Sequence, residues 1–278
     1  MELFKLRKEL ITDLKEDFPE LVDKFNHFIL SQFKSKKNTV IHLTFIRKTE
    51  SLPKEVVIKI FRNNNADTEH DILKQLYKQE IPVPKIIFFK KPYLILEKIE
   101  GFNLSDFINY RLYKSASLDS LDTKSKKELL MCIEGLANWL SKLHINNIIE
   151  DKEHAHSKVL NKGDTRLRDF IYNLPDNQIF GLDFEDSYEG NHIDDIAWIC
   201  CSLLDTKPGI FEENYPKSKI ELINFFLKSY YRINPETPFD FNYFTEKLIE
   251  NLNTVMSRRG IDMILNKDSF LRDISQDM

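Results

Sequence analysis

The character of the sequence changes at Gly101, and this change limits the folds that the chain can adopt. Before Gly101, short alternating or β-branched runs are separated by prolines and polar turns, a pattern typical of antiparallel strands. After Gly101, apolar residues mostly recur at the three- and four-residue spacing of helices. We therefore predict an α+β fold with a small antiparallel sheet followed by a mainly helical part. A single α+β domain without lobes is the alternative.

The elements can be placed approximately. Residues 1–30 have helical spacing, with a break at Pro19, and a second helix is expected from about Asp67 to Gln79. Strands are predicted in the runs ILSQF, TVIHLTFIR, EVVIKIF, IPVPKIIFFKK and PYLILEKI. Further helices are predicted over residues 129–144 and over most of the chain from Asp195 onward.

The composition excludes several classes of protein. Hydrophobic residues make up 42% and charged residues 30% of the chain, as in ordinary soluble proteins. A net charge of −4 argues against a general nucleic-acid binder. No run approaches the ~20 apolar residues of a membrane span, and the charged N-terminus lacks the apolar segment of a signal peptide. We expect a cytoplasmic protein without membrane or nucleic-acid partners, whose adjacent Cys200 and Cys201 are reduced core residues.

Three carboxylates follow one another in an order that suits phosphoryl transfer. Asp164 comes directly after a glycine, Asp169 lies five residues later, and Asp183 ends a short apolar strand. Phosphoryl transfer needs a carboxylate to orient or accept the proton of the attacking hydroxyl, and further oxygen ligands for magnesium. Each aspartate alone would be read as a turn or a helix cap, and the adjacent Asp194 and Asp195 as an N-cap. The three aspartates in this order and spacing indicate phosphoryl transfer more specifically than any one of them alone.

At these residues the sequence resembles the aminoglycoside phosphotransferases and choline kinases. The resemblance rests on Lys162-Gly163-Asp164 with Asp169, on Leu182-Asp183-Phe184-Glu185, and on Gly190 through Asp195-Ile196-Ala197. It implies a two-lobed protein-kinase-like fold that binds ATP and Mg²⁺. It also implies that Asp164 is the catalytic base, that Asp183 and Asp169 are magnesium ligands, and that the buried Asp195 braces the catalytic loop.

The chain departs from the family pattern at two positions. Lys162 stands where the family usually has His, and Asp169 stands where it has Asn. The resemblance implies that the residue at the position of Lys162 mainly supports the loop. Asp169 adds a negative charge near the phosphates, so a catalytically silent nucleotide-binding relative is an alternative to an active enzyme.

The first part of the chain contains a candidate phosphate-binding pair. Lys59 lies between Val57 and Phe61 on an apolar face of the run EVVIKIF, where an unpaired lysine would be unfavourable. The resemblance pairs it with Glu69, as in kinase folds. The alternatives are an edge-strand charge for Lys59 and a solvated helix face for Glu69.

Two further nucleotide contacts are expected from the resemblance. Backbone groups of Glu97 and Ile99 would hydrogen-bond adenine, unless this segment is only a strand that ends in a glycine turn. Because no glycine precedes Gly101, the phosphate-covering loop must work without glycine, and Ser35 and Lys37 are its candidates. A charged hairpin turn is the alternative.

These assignments give three segments and one predicted activity. Residues 1–27 form a helical extension, residues 28–98 a nucleotide-binding N-lobe, and residues 99–278 a helical C-lobe with the catalytic loop and acceptor site. We expect an ATP-dependent phosphotransferase that acts on a hydroxyl of a small aminoglycoside-, choline- or sugar-like molecule. A compact atypical protein kinase is disfavoured, because little room for an activation loop separates Asp183 from the helix at Asp195.

The charge of the acceptor is left open by the sequence. Glu185, Asp186 and Glu189, with the aromatic ring of Tyr188, would suit a cationic or hydroxyl-rich molecule, unless they form a solvated acidic loop. Arg166 and Arg168 would instead contact an acidic acceptor or the γ-phosphate, or only pair with the neighbouring acids.

Overall fold

A computed structural model describes residues 3–16, 19, 28–33, 37–46, 53–113, 115–149, 158–207, 209–213, 216–262 and 270–275. The chain divides into two compact units. The first consists of residues 1–74 and 84–99, and the second of residues 75–83 and 100–278.

The first unit is built on a five-stranded antiparallel sheet. Its strands lie in the order β1-β2-β3-β5-β4. Strands β2, β3 and β5 each pair with a strand on both sides, and the proline-flanked β4 lies at one edge. The bounds are β1 (Phe28–Phe33), β2 (Thr39–Phe45), β3 (Glu55–Ile60), β4 (Ile86–Lys90) and β5 (Tyr93–Glu97).

Two helices accompany this sheet, α1 (Leu3–Leu14) and α2 (Ala66–Lys78). Leu10 of α1 is fully buried in the same apolar cluster as the inward residues of β2, β3 and β5, so α1 contributes to the core of this unit. In α2, Leu73 and Leu76 are buried, in agreement with the predicted helix, while Ile72 is only partly buried.

The second unit contains two small antiparallel sheets, with strand orders β10-β9-β6 and β11-β8-β7. The bounds are β6 (Phe102–Asn103), β7 (Ile148–Ile149), β8 (Lys158–Asn161), β9 (Phe170–Asn173), β10 (Gln178–Gly181) and β11 (Tyr188–Gly190).

Five helices form most of the core of the second unit. The long α4 packs against α6, and α5 packs against α7. The apolar positions that predicted helix over residues 129–144 are buried, and Cys132, Cys200 and Cys201 are buried free thiols. None of the helices that the structure describes is both long and apolar enough to cross a lipid bilayer. The helices are α3 (Leu104–Leu112), α4 (Thr123–Ile145), α5 (His192–Asp205), α6 (Lys217–Ile233) and α7 (Phe241–Arg259).

One lysine of the helical core is buried without a hydrogen-bond partner among the described residues. Lys219 lies in the first turn of α6, and its side chain is fully buried. Burial lowers the pKa of Lys219 to about 7, although nearby Glu212, Glu213 and Asp205 attract the charged form.

We expect this lysine to make the free energy of unfolding rise with pH between about 7 and 10. In that range the unfolded lysine, with an ordinary pKa near 10.4, holds a proton that the folded one releases. Lys219→Met should abolish this slope and stabilise the protein at pH 7. Urea denaturation at pH 7 and pH 9 measures the change in the free energy of unfolding with pH, and the exposed Lys228→Met serves as control. Equal slopes in the wild type and in Lys219→Met would contradict the prediction.

Candidate active site

Asp195 holds the segment that contains Asp164 in place. It is fully buried in the first turn of α5. Its carboxylate accepts hydrogen bonds from the backbone N–H groups of Lys162 (2.7 Å) and Gly163 (3.1 Å) and from the hydroxyl of Thr165. Burial alone would raise the pKa of Asp195, but these bonds and His144 hold it below its ordinary value. The N-cap of this helix is Asn191, so reading the Asp194–Asp195 pair as the cap is wrong.

His144 completes the support of Asp195. Its Nε2 lies 3.3 Å from Asp195 Oδ2, and its Nδ1 lies 2.7 Å from the hydroxyl of Tyr230. Sequence reasoning missed this histidine. It continues the buried face of α4 one helical turn after Leu140, and a polar residue at such a position was the available signal.

The backbone around the candidate site is in left-handed conformations. Asp164 has φ 43°, Asp183 has φ 62° and Gly163 has φ 73°. A Cβ atom on Gly163 would lie 2.1 Å from the carbonyl oxygen of Asp186, so only glycine fits there. Aspartate is one of the few residues that tolerate this conformation. Strained backbone of this kind clusters at functional sites, which supports a role for both aspartates.

Lys162 directly precedes Gly163 in the loop that contains Asp164. Its side chain is buried, and Nζ donates to the carbonyl oxygen of Asp183 at 2.9 Å. The ammonium group also lies 5.4 Å from the ring centroid of Phe184 and 5.7 Å from that of Phe170. Lys162 therefore connects the loop that contains Asp164 to the turn that carries Asp183, consistent with a supporting role at this position.

The carboxylates of the second unit lie close enough to affect one another. Burial raises the pKa of Asp169, and the charges of Asp183 and Asp164 raise it further, while Lys162 and Arg166 oppose them. Asp183 and Glu185 offer carboxylate oxygens within 4.8 Å of each other. Hard oxygen donors in this arrangement fit a divalent cation such as Mg²⁺. Glu185 was not predicted as a ligand, and its burial shows that a solvated acidic loop is the wrong description of this residue.

Two arginines contact the two oxygens of Asp164. Arg166 Nη2 lies 2.8 Å from Oδ2, and Arg166 Nε also lies 3.5 Å from Asp169 Oδ2. Arg258 Nη1 lies 3.3 Å from Oδ1. Arg166 thus neutralises part of the charge that Asp169 adds to the loop. Arg258 could not be found from local sequence, because it is 94 residues away along the chain.

In the first unit, Lys59 and Glu69 form a buried ion pair. Lys59 lies on the central strand β3, and both side chains are nearly inaccessible. Reading Lys59 as an edge-strand charge is therefore wrong, as is a solvated helix face for Glu69. Lys59 Nζ also lies 4.9 Å from the ring centroid of Phe61. The ion pair compensates the cost of burying each charged group.

The structure describes three of the four other residues that were predicted to contact the nucleotide: Lys37, Glu97 and Ile99. Glu97 ends β5, and its N–H donates to the carbonyl oxygen of Lys85 at 3.0 Å. Ile99 lies beyond the strand, and no backbone hydrogen bond joins it to another residue in the described ranges. Lys37 is exposed next to β2, whereas Ser35 lies outside the described residues.

The residues proposed to bind a cationic acceptor differ in burial, and Glu185 is buried. Asp186, Tyr188 and Glu189 are exposed. Nearby, Asp194 accepts hydrogen bonds from the hydroxyls of Tyr188 (3.0 Å) and Tyr243 (2.8 Å). Partial burial and then Asp194 raise the pKa values of both tyrosines, so Asp194 and the two hydroxyls form a hydrogen-bonded cluster.

Comparison with known proteins identifies the fold. No protein-family model matches the sequence, and no curated protein has a significant match. Among solved structures, the ADP-bound aminoglycoside phosphotransferase APH(2'')-Ib is similar with a TM-score of 0.55 and 14% identity, over 94% of this chain and 95% of that one. The ternary complex of APH(2'')-IIa with streptomycin and ATP is similar with a TM-score of 0.54 and 12% identity, over 92% of this chain and 95% of that one.

An ethanolamine kinase of Plasmodium vivax is also similar, with a TM-score of 0.53 and 15% identity over 96% of this chain and 86% of that one. These proteins share the protein-kinase-like fold, so the fold class predicted from the sequence is confirmed. At these identities the likeness is one of fold.

Proposed function

From the fold that the chain shares with aminoglycoside phosphotransferases and ethanolamine kinases, we propose that it is an ATP-dependent phosphotransferase acting on a hydroxyl of a small molecule. The observation that carries this proposal is the loop held by Asp195, which presents Asp164 beside the carboxylates of Asp169 and Asp183. Ordinary turn or cap aspartates would not need a fully buried carboxylate to fix their backbone.

The residues divide the chemistry between them. Asp164 orients the acceptor hydroxyl and accepts its proton, while Lys59, positioned by Glu69, binds nucleotide phosphate. Asp183, Asp169 and the adjacent Glu185 would hold Mg²⁺, which neutralises the negative charge of the phosphates. Backbone groups at Glu97 and Ile99 would bind adenine, and Ser35 and Lys37 would cover the phosphates.

A phosphorylation assay tests this proposal. The protein is incubated with Mg²⁺, γ-³²P-labelled ATP and a panel of hydroxylated metabolites and antibiotics, and label is sought in each acceptor. We expect label in one class of small molecule. Label in protein substrates instead would favour the compact protein kinase. Binding of ATP without any label, and without release of phosphate to water, would favour the silent relative.

The substitution Asp169→Asn tests whether the extra carboxylate impairs the site. We expect turnover to be retained or raised, because an amide oxygen is still a hard ligand and one negative charge is removed from crowded carboxylates. Asp169→Ala, which removes the oxygen ligand, should lower turnover by at least about tenfold. Steady-state ADP release measures both. If asparagine is as harmful as alanine, the carboxylate charge itself is required.

A further inference from the structure

Arg258 places a second functional group beside the candidate catalytic base. It lies in the last turn of α7, which ends where the N–H of Gly260 bonds the carbonyl oxygens of Met256 and Ser257. Its guanidinium lies 5.7 Å from the ring centroid of Trp198 and reaches Asp164 Oδ1 with a single N–H. The indole and the carboxylate thus hold the guanidinium in a defined position next to Asp164.

Within the part of the chain that the structure describes, most N–H donors of Arg258 have no hydrogen-bond partner. A guanidinium has five N–H donors, and only one from Arg258 has a partner among the residues that the structure describes. The side chain is 47% exposed. Each oxygen of Asp164 keeps a lone pair, because the two arginines take one position on each. The guanidinium therefore has donors left for a ligand that also contacts Asp164, whose side chain is 15% exposed.

The surroundings favour an anion over a cation at this position. Arg166 adds a second positive charge on the other side of Asp164. The adjacent Arg259 turns away to Asp205, so it does not compete for the same ligand. Of the acidic groups nearby in the sequence, Asp194 accepts hydrogen bonds from two tyrosine hydroxyls and Glu185 is 4% exposed. Asp186 and Glu189 are exposed, so the acceptors tested below include cationic ones.

We infer that the acceptor carries a carboxylate or phosphate group close to its reacting hydroxyl, and that Arg258 binds this group. The inference rests on the proposed phosphotransferase function and names its substrate class. Hydrogen-bond lengths place the anion within about 4–6 Å of the hydroxyl oxygen, so a few bonds separate the two groups. The hydroxyl oxygen bonds to the γ-phosphorus and gives its proton to Asp164. The bond from the γ-phosphorus to ADP breaks, and ADP keeps the electron pair.

Matched acceptors test the inference. Glycerate and glycerol 3-phosphate supply the two anions, glycerol is their neutral counterpart, and choline is a cationic alcohol. Longer hydroxy acids and phosphomonoesters, with their neutral and amine analogues, extend the set. The values of kcat and KM are measured from ADP release. We expect kcat/KM for an anionic member to exceed that of its neutral analogue by at least about tenfold.

Variants of Arg258 separate binding from a structural role. Arg258→Gln should raise KM for anionic acceptors by about 10–100-fold, with a smaller change in kcat, and leave KM for ATP unchanged. Arg258→Lys should recover part of the loss, and Arg258→Glu should shift preference toward the cationic analogues. The neighbouring Arg259→Gln serves as the matched control and should change the preference by less than about twofold.

The results of these assays either support the inference or overturn it. It is overturned if neutral or cationic acceptors are preferred, or if Arg258→Gln changes all acceptors equally. It is also overturned if no anionic acceptor is phosphorylated while hydrolysis of ATP by water still depends on Asp164, and in that case the proposed function survives. Absence of both transfer and Asp164-dependent hydrolysis overturns the proposed function itself.

Discussion

Replacement of Asp164 by asparagine is expected to lower turnover by about 10²–10⁴-fold while nucleotide affinity is retained. The amide cannot accept the proton of the acceptor hydroxyl. Asparagine also tolerates the left-handed backbone at this position, where φ is 43°, so the loop should keep its shape. Its amide oxygen can still accept from one of the two arginines that contact Asp164. The measurement is kcat from ADP release, with ATP affinity from calorimetry.

The control for Asp164→Asn is Asp176→Asn, an identical chemical change at an exposed position in the turn between β9 and β10. It should leave turnover and affinity unchanged. Turnover in Asp164→Asn equal to that of the wild type would remove Asp164 from its role as base. A parallel loss of ATP affinity would show that the substitution disturbs the nucleotide site instead.

Asp195→Ala should cause the largest loss of stability, about 3–5 kcal/mol of unfolding free energy. The substitution leaves the N–H groups of Lys162 and Gly163 and the hydroxyl of Thr165 without their buried acceptor. Urea denaturation measures the loss, and Asp176→Ala at the exposed turn should change stability by less than about 0.5 kcal/mol. A loss below about 1 kcal/mol would show that the loop does not depend on Asp195.

We also expect the contribution of the Asp195 carboxylate to the free energy of unfolding to depend on pH. Because the folded pKa of Asp195 is lowered, its contribution is fully present above the ordinary carboxyl pKa of about 3.9 and declines as the pH falls through the folded value. The difference in stability between wild type and Asp195→Ala should therefore shrink below about pH 4. A difference that stays constant to lower pH would contradict the lowered pKa.

The sequence predicted the strands of the first unit and the local motifs well, because both depend on neighbouring residues. It did not predict β6 to β9 or β11, and residues 28–30, which were included in a helical segment, lie in β1. Alternation predicted the strands of the first unit, and an apolar face around Lys59 predicted a buried lysine that needs a partner. The resemblance then supplied Glu69 as that partner, and the structure contains the pair. The predicted domain boundaries and the roles of the site residues stay predictions.

The parts that sequence could not supply are contacts between distant segments. Arg258 meets Asp164 only because α7 packs against α5, and no local pattern encodes that packing. The burial of Glu185 likewise depends on surrounding elements, so an acidic run was read as a solvated loop. Lys162 looked like a simple departure from the family pattern. Its contacts with Phe170, Phe184 and the Asp183 carbonyl appear only in the folded chain.

The central claim is that the carboxylate cluster around Asp183 holds a metal ion together with nucleotide phosphate. Electron paramagnetic resonance of Mn²⁺, a common substitute for Mg²⁺, tests it most directly in the presence of a non-hydrolysable ATP analogue. The wild type should bind Mn²⁺ tightly with coupling to phosphorus nuclei of the nucleotide, and Asp183→Ala should lose that signal while Asp176→Ala keeps it. Undiminished, phosphorus-coupled Mn²⁺ in Asp183→Ala would contradict the account.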